Sequence, residues 1–258
     1  GCRLARARTV VVPHADLDVI DTALDCVTTD RALVLTEGVY SMGGDVAPVG
    51  ELVEIAHRHG ALVVVDDAHG IGTVGPTGRG ATEELPASQR PDVLLGTASK
   101  ALGVEGGFAC VDETLATLMR NCARGYVFSS APSPVVAAGV AAAVEYLRTD
   151  TRRVCSLQAN VAQARLLLAE ADLIPPSAAH DRGPIIRIPV GPESRAVAAQ
   201  EELARRGLMV GAIRYPAVAR GDAILRICLT ARHTDEHIRI LVTSLREVLD
   251  GALSDAPR

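Results

Sequence analysis

Residues 61–70 read ALVVVDDAHG: five apolar residues in a row, then two aspartates and, one residue on, a histidine. A strand with one wet face would alternate apolar and polar residues. An unbroken apolar run bounded by a turn signal instead fits a strand buried on both faces, as in a parallel sheet. In open α/β sheets ligands bind at the carboxyl ends of the strands, where this run places Asp66, Asp67 and His69. The stretch predicts an α/β fold with its chemistry along one sheet edge.

Working outward, the same pattern recurs. Further strands are expected at 9–13 (TVVVP), 32–38 (ALVLTEG), 92–99 (DVLLGTAS) and 106–112 (GGFACVD). Helical patterns lie between them: DLDVIDTALDC, VGELVEIAHRHG, which stops on a glycine, and ETLATLMRNCARG. Strands alternating with helices predict a mainly parallel sheet covered on both faces. Two long helices follow, in PSPVVAAGVAAAVEYLRTD and SLQANVAQARLLLAEA. Beyond them come strand PIIRIPV, helix ESRAVAAQEELARRG, strands LMVGAIRYP and AILRICLT, and helix DEHIRILVTSLREVLD. That run reads as a small C-terminal α+β domain. The expected division is a large domain over 1–150 and a small one over 151–258.

Composition excludes several classes of function. The chain has 258 residues, 48% hydrophobic, enough for a full core. A formal charge of −5 and 2% aromatics provide neither a basic footprint nor stacking platforms, so nucleic acid is not an expected partner. The longest apolar-rich stretch, in 134–147, is too short and ends in charge, so no membrane association is expected. Six cysteines, at 2, 26, 110, 122, 155 and 228, show no CxxC or zinc spacing. Several sit in apolar runs and are expected to be reduced, buried thiols of a cytoplasmic protein.

One residue breaks the compositional habit. Of 26 basic residues only Lys100, in GTASKALG (96–103), is a lysine. A sequence that favours arginine can leave a lone lysine by drift. Chemically, though, only an amine can lose its proton and form a Schiff base; a guanidinium cannot. Its neighbours favour the chemistry, since three strand ends are loaded: Glu37 and Ser41; Asp66, Asp67 and His69; Thr97, Ser99 and Lys100. That set suits pyridoxal 5'-phosphate. The lysine would hold the aldehyde, a carboxylate would keep the pyridine nitrogen protonated, and hydroxyls with backbone N–H groups would hold the phosphate. Thr97, Ser99 and the SSAPS run at 129–133 could supply the latter.

Two other motifs carry less. GIGTVG (70–75) matches a dinucleotide-binding spacing, but Pro76, Gly78 and Gly80 forbid the helix that must open at its third glycine. HTDEH offers His233, Asp235 and His237 as metal ligands, yet reads better as a helix start with Thr234 as cap and acids in the first turn. No metal is expected.

At this point three quoted blocks, in order, resemble the α-oxoamine synthases, pyridoxal-phosphate enzymes of fold type I. They are TEGVYSMGGDVAPVGELVEIAHRHGALVVVDDAHGIGTVGPTGRGA, GTASKALG and ARGYVFSSAPSP. The C-terminal GAIRYPAV and ILRICLTARHT are similar to the family's small domain. The DDAHG form is most like the branch that uses alanine. The resemblance implies a homodimeric acyltransferase that condenses an amino acid with an acyl-CoA or acyl-carrier thioester and releases carbon dioxide. Glycine C-acetyltransferase or another α-oxoamine synthase activity, and a truncated, inactive homologue, are its alternatives. It further implies Lys100 as the Schiff-base lysine, Asp66 beside the pyridine nitrogen and His69 by the ring hydroxyl. Ser41 would also touch the cofactor and Thr97 its phosphate, while Ser129 and Ser130 would reach the phosphate of a neighbouring subunit. Arg226 would hold the amino-acid carboxylate, and Glu37, in the EGV motif, would support the site. Two departures stand out. Tyr215 and Ala217 lie where the family usually continues toward a threonine near the acyl group. The family's N-terminal segment, with a glycine-aromatic loop and a ring-stacking histidine, has no counterpart before Gly1.

Overall fold

The computed structural model describes residues 1–28 and 31–254. They divide into two compact units. The first comprises Gly1–Gly38, Ala47–Ala68 and Ala81–Ala143; the second comprises Val39–Val46, His69–Gly80 and the residues from Val144 onward. The chain thus leaves the first unit twice for short excursions, at 39–46 and 69–80, which a linear boundary near 150 does not contain.

In the first unit a four-stranded sheet is ordered β1 (Leu33–Glu37), β2 (Leu62–Asp66), β3 (Val93–Thr97), β4 (Gly107–Val111). The first three strands run parallel and β4 antiparallel. The strand read from ALVVVDD forms as expected, with Val63 and Val65 fully buried. Helix α2 (Val49–Arg58) packs on β2 and buries Val49, Leu52, Val53 and Ala56, the i, i+3, i+4, i+7 stripe of an amphipathic helix. Helix α1 (Leu17–Asp25) starts where the Asp16 carboxylate accepts the Val19 N–H at 3.0 Å. Asp112 caps α3 (Glu113–Cys122) in the same way through Leu115 N–H, at 2.7 Å. The expected single helix there breaks at Ala123, whose extended backbone (ψ 104°) separates α3 from the short α4 (Arg124–Val127).

Three expectations are corrected here. Residues 9–13 form no strand: no neighbouring strand pairs with them, and Val10 and Val11 lie exposed. The sheet is not covered on both faces at its β1 edge, where Leu33, Leu35 and the adjacent Leu62 stay exposed. The cysteines are not buried either: Cys26, Cys110, Cys122, Cys155 and Cys228 are exposed and Cys2 half-buried. Cys110 stands on the outermost strand, β4, and Cys228 is the last residue of a strand in the second sheet, so their apolar sequence neighbours do not enclose them.

Helix α5 (Pro134–Thr149) contains the division between units, and the second unit continues with α6 (Arg152–Glu170). Its sheet is ordered β5 (Ile185–Gly191), β7 (Ala223–Cys228), β6 (Gly211–Ile213), all antiparallel. The expected strand 208–216 is reduced to the three residues of β6. One face carries Ile186, Ile188, Val190, Ala223, Leu225 and Ile227, all buried against α6, α7 (Glu193–Arg205) and α8 (Asp235–Ser254). Each large aliphatic side chain enclosed in this way contributes about 1.5–3 kcal/mol. Alternate residues face the other way, which puts Arg187 and Arg226 side by side in register on the opposite face, where Ile185 and Ile224 are buried. Helix α8 begins as the HTDEH reading expected, with the Thr234 hydroxyl accepting His237 N–H at 3.3 Å.

Candidate active site

In the first unit the parallel register aligns Glu37, Asp66 and Leu95 across the carboxyl ends of β1, β2 and β3. Side chains in one such row share a face. A cleft of about 440 Å³ opens there, lined by Asp66, Ala68, Leu95, Gly96, Thr97, Gly107, Phe108 and Ala109. The structure thus brings Asp66 and Thr97 together, though 31 positions separate them in sequence.

The two aspartates of the DDAHG motif have different surroundings. Asp66 is exposed in the cleft, with one carboxylate oxygen accepting Ala68 N–H at 3.0 Å. Asp67 is fully buried and accepts Ala81 N–H at 2.8 Å, joining the two ends of the 69–80 excursion. A Cβ at Gly38 would overlap the Asp67 carboxylate, so glycine is required beside it. Asp67 thus holds the turn together, while Asp66 keeps an oxygen for chemistry.

Past β3, the Thr97 hydroxyl lies 2.8 Å from the Ser99 hydroxyl, donates to Gly106 C=O at 3.1 Å and accepts Ser99 N–H at 3.2 Å. Thr97 is thus the organiser of this turn, and the exposed Ser99 hydroxyl is a further group able to meet an anion. Lys100 follows, exposed, its carbonyl accepting Gly103 N–H at 3.0 Å. The positive φ of Gly103 (71°) and Gly106 (115°) lets the chain turn back into β4. Ser129 and Ser130 lie exposed between α4 and α5.

In the second unit, residues 39–46 form a hairpin: Val39 bridges Val46, Tyr40 N–H donates to Asp45 C=O at 2.9 Å and Gly44 N–H to Tyr40 C=O at 2.7 Å. Its Ser41 carbonyl accepts Arg226 Nε–H at 2.7 Å. Arg226 Nη1–H reaches Cys228 Sγ at 3.0 Å, so the outer edge of the guanidinium remains for a ligand. His69 is half-buried at the start of the second excursion, where its carbonyl accepts the Thr73 hydroxyl at 2.6 Å. GIGTVG forms a closed loop with Gly72 N–H on Gly78 C=O at 2.7 Å, and no helix opens at its third glycine. Among the described residues no group of histidine, cysteine and acidic side chains could hold a metal.

One buried ionic residue was missed in the sequence. Arg165 sits on the α6 stripe formed by Leu157, Val161 and Leu168, at i+8 from the first, and is 2% exposed. A cation on an apolar stripe was the available signal.

The chain belongs to the aminotransferase class I and II family, whose model matches residues 1–245. Within it, the chain is 43% identical over 257 residues to the 8-amino-7-oxononanoate synthase of Halorhodospira halophila, covering 99% of this chain and 62% of that protein. The fold is similar to the serine palmitoyltransferase of Sphingomonas wittichii (TM-score 0.89, 31% identity, 98% of this chain and 63% of that one). It is similar also to a structure of SPT with PLP (TM-score 0.89, 29% identity, 97% and 63%). The expected α/β, fold type I architecture is borne out, as is the resemblance to the α-oxoamine synthases. The chain spans less than two thirds of the length of each of these relatives.

Proposed function

We propose that this chain carries the cofactor- and amino-acid-binding machinery of a pyridoxal-phosphate-dependent C-acyltransferase, similar to 8-amino-7-oxononanoate synthase. Its reaction joins the α-carbon of an amino acid, L-alanine on this reading, to the acyl carbon of an acyl-CoA or acyl-carrier thioester. The thiol departs and the amino acid's carboxylate is lost as carbon dioxide. The observation that carries the reading is the cleft that holds Asp66 and Thr97 together, three residues before the chain's only lysine.

The residues present fit the cofactor. A carboxylate with an open oxygen, two clustered hydroxyls and a lone exposed amine are the donors and acceptors its ring nitrogen, phosphate and aldehyde require. When bound, pyridoxal phosphate supplies an aldehyde carbon that captures amines and a ring that takes up an electron pair from the amino acid's α-carbon. Lys100 would anchor the cofactor through its amine and, when that amine is free, would accept the substrate's α-proton as a general base. Asp66 holds a proton on the ring nitrogen by its negative charge. Thr97 and Ser99 meet the phosphate, and Ser129 and Ser130 reach that of a neighbouring subunit in a homodimer. His69 and Ser41 orient the ring, and Glu37, next to Asp66 in the sheet, supports it. Arg226 grips the substrate carboxylate with its outer fork. A cytoplasmic setting belongs to the same reading, since the cysteines are unpaired and mostly exposed. Among the described residues no helix is long and apolar enough to cross a membrane.

The test is release of carbon dioxide and free thiol from L-alanine and a series of acyl-CoA thioesters. Stoichiometric release that Lys100→Arg abolishes supports the proposal; release by Lys100→Arg at the original rate contradicts it.

A further inference from the structure

Arg165 is nearly inaccessible, and Asp181 stands 3.9 Å from its guanidinium, beyond hydrogen-bond distance, with the Asp45 charge also acting on it. Its guanidinium donates instead to main-chain carbonyls. Nη1 reaches Ala178 at 3.2 Å; Nη2 reaches Ile185 at 2.8 Å, Gly183 at 3.0 Å and, more weakly, Gly44 at 3.5 Å. Burying a cation this way is costly, and a well-packed apolar side chain would serve the core at least as well. What an arginine alone adds is a rigid fork of donors joining separate stretches of backbone.

Those stretches are pressed together. A Cβ on Gly183 would overlap the Gly44 carbonyl oxygen, and one on Gly44 would overlap that of Ile185. Three carbonyl oxygens thus crowd one guanidinium nitrogen, whose charge offsets their mutual repulsion. Asp181 adds a bond from Val46 N–H at 3.4 Å. The secured segment is the 39–46 hairpin, and from it the Ser41 carbonyl holds Arg226 Nε–H.

We propose that Arg165 is a positioning residue: it locks the 39–46 hairpin against the start of β5, so that Ser41 fixes the Arg226 guanidinium in the pose that takes a substrate carboxylate. The inference rests on the proposed role of Arg226. It differs from a purely structural role in what it couples. Opening the hairpin must free the Arg226 Nε–H, while the β7 ladder stays closed.

The experiment follows the Arg226 Nε–H by NMR on the whole chain, the signal being assigned by its loss in Arg226→Lys. In the unaltered protein its exchange protection should match that of the Gly44 amide within about tenfold. A freely exchanging Nε–H beside a protected Gly44 amide would overturn the proposal, and this comparison needs no variant to fold. In Arg165→Lys and Arg165→Met, both protections should fall at least about tenfold and L-alanine affinity about tenfold. The β7 amides should stay within about threefold. Unchanged Nε–H protection in a folded variant, or an equal loss across β7, would overturn it. Loss of hairpin protection with L-alanine affinity unchanged in both Arg165→Met and Arg226→Ala would uphold the lock and remove the functional reading of Arg226.

Discussion

Arg226 Nε–H donates to the carbonyl oxygen of Ser41 at 2.7 Å, across 185 residues of sequence. With Nη1 also committed, to Cys228 Sγ, the guanidinium is anchored on one side and keeps its outer edge for a planar anion. Replacement by lysine keeps the charge but loses both the anchor and the fork. Arg226→Lys is therefore expected to weaken L-alanine binding at least about tenfold, the scale of a hydrogen bond to a charged group. Pyridoxal-phosphate affinity should change less. Calorimetric titration of each ligand checks this, and an unchanged alanine affinity contradicts the assignment.

Arg187 is the direct cross-strand neighbour of Arg226. Like charges facing each other across an antiparallel pair are destabilising, and opposite charges contribute about 0.2–1 kcal/mol. Arg187→Glu should raise the urea midpoint of the second unit accordingly. It should also lower L-alanine affinity, because the new carboxylate competes for the Arg226 fork. A higher midpoint with undiminished alanine binding would show that the fork is not the carboxylate site.

Gly44 has φ 78° and no room for a Cβ beside the Ile185 carbonyl. Gly44→Ala adds left-handed strain to a backbone overlap, each costing about 1–3 kcal/mol. A loss of at least about 2 kcal/mol in urea unfolding is expected. Gly60, whose φ is 67° but which has open space, should cost only the backbone strain when changed to alanine, and so less. Equal losses at the two glycines would contradict the tight hairpin.

Burial, with His237 acting in the same direction, pushes the His233 imidazole below its ordinary value of 6.5. Its Nδ1 accepts Thr230 N–H at 3.2 Å, which requires that nitrogen to be proton-free. The unfolded chain takes up this proton first as pH falls, so the native state loses stability from about pH 6.5 down through the lowered native value. Above about pH 6.5 this contribution is level. Urea unfolding between about pH 5 and pH 8 should show a slope that His233→Gln reduces. An identical slope in that variant would contradict the assignment.

The parts of the fold that local chemistry decides were legible in the sequence. The apolar run before Asp66 reads as a buried strand, and Thr234 announces a helix start. Residues 9–13 have the same strand-like composition but lack a neighbouring strand to pair with, which no local pattern reports. The division into units was hidden because the 39–46 and 69–80 excursions are short and look like ordinary loops. Candidate site residues stood out in the sequence where residue type is distinctive, as with the lone Lys100. Site contacts were not legible where partners are backbone atoms. Arg165 answers to the carbonyls of Gly44, Gly183 and Ile185, and the Ser41–Arg226 contact joins a carbonyl to a side chain. Asp67 shows the same blindness: only its burial separates it from the adjacent Asp66.

The central claim is that Lys100 holds pyridoxal phosphate in the cleft of Asp66 and Thr97. It is tested most directly by the visible absorbance of the purified chain on addition of the cofactor, beside Lys100→Ala. A visible band that saturates with cofactor, depends on Lys100 and shifts on adding L-alanine is the predicted result. No band, or the same band in Lys100→Ala, would contradict the account.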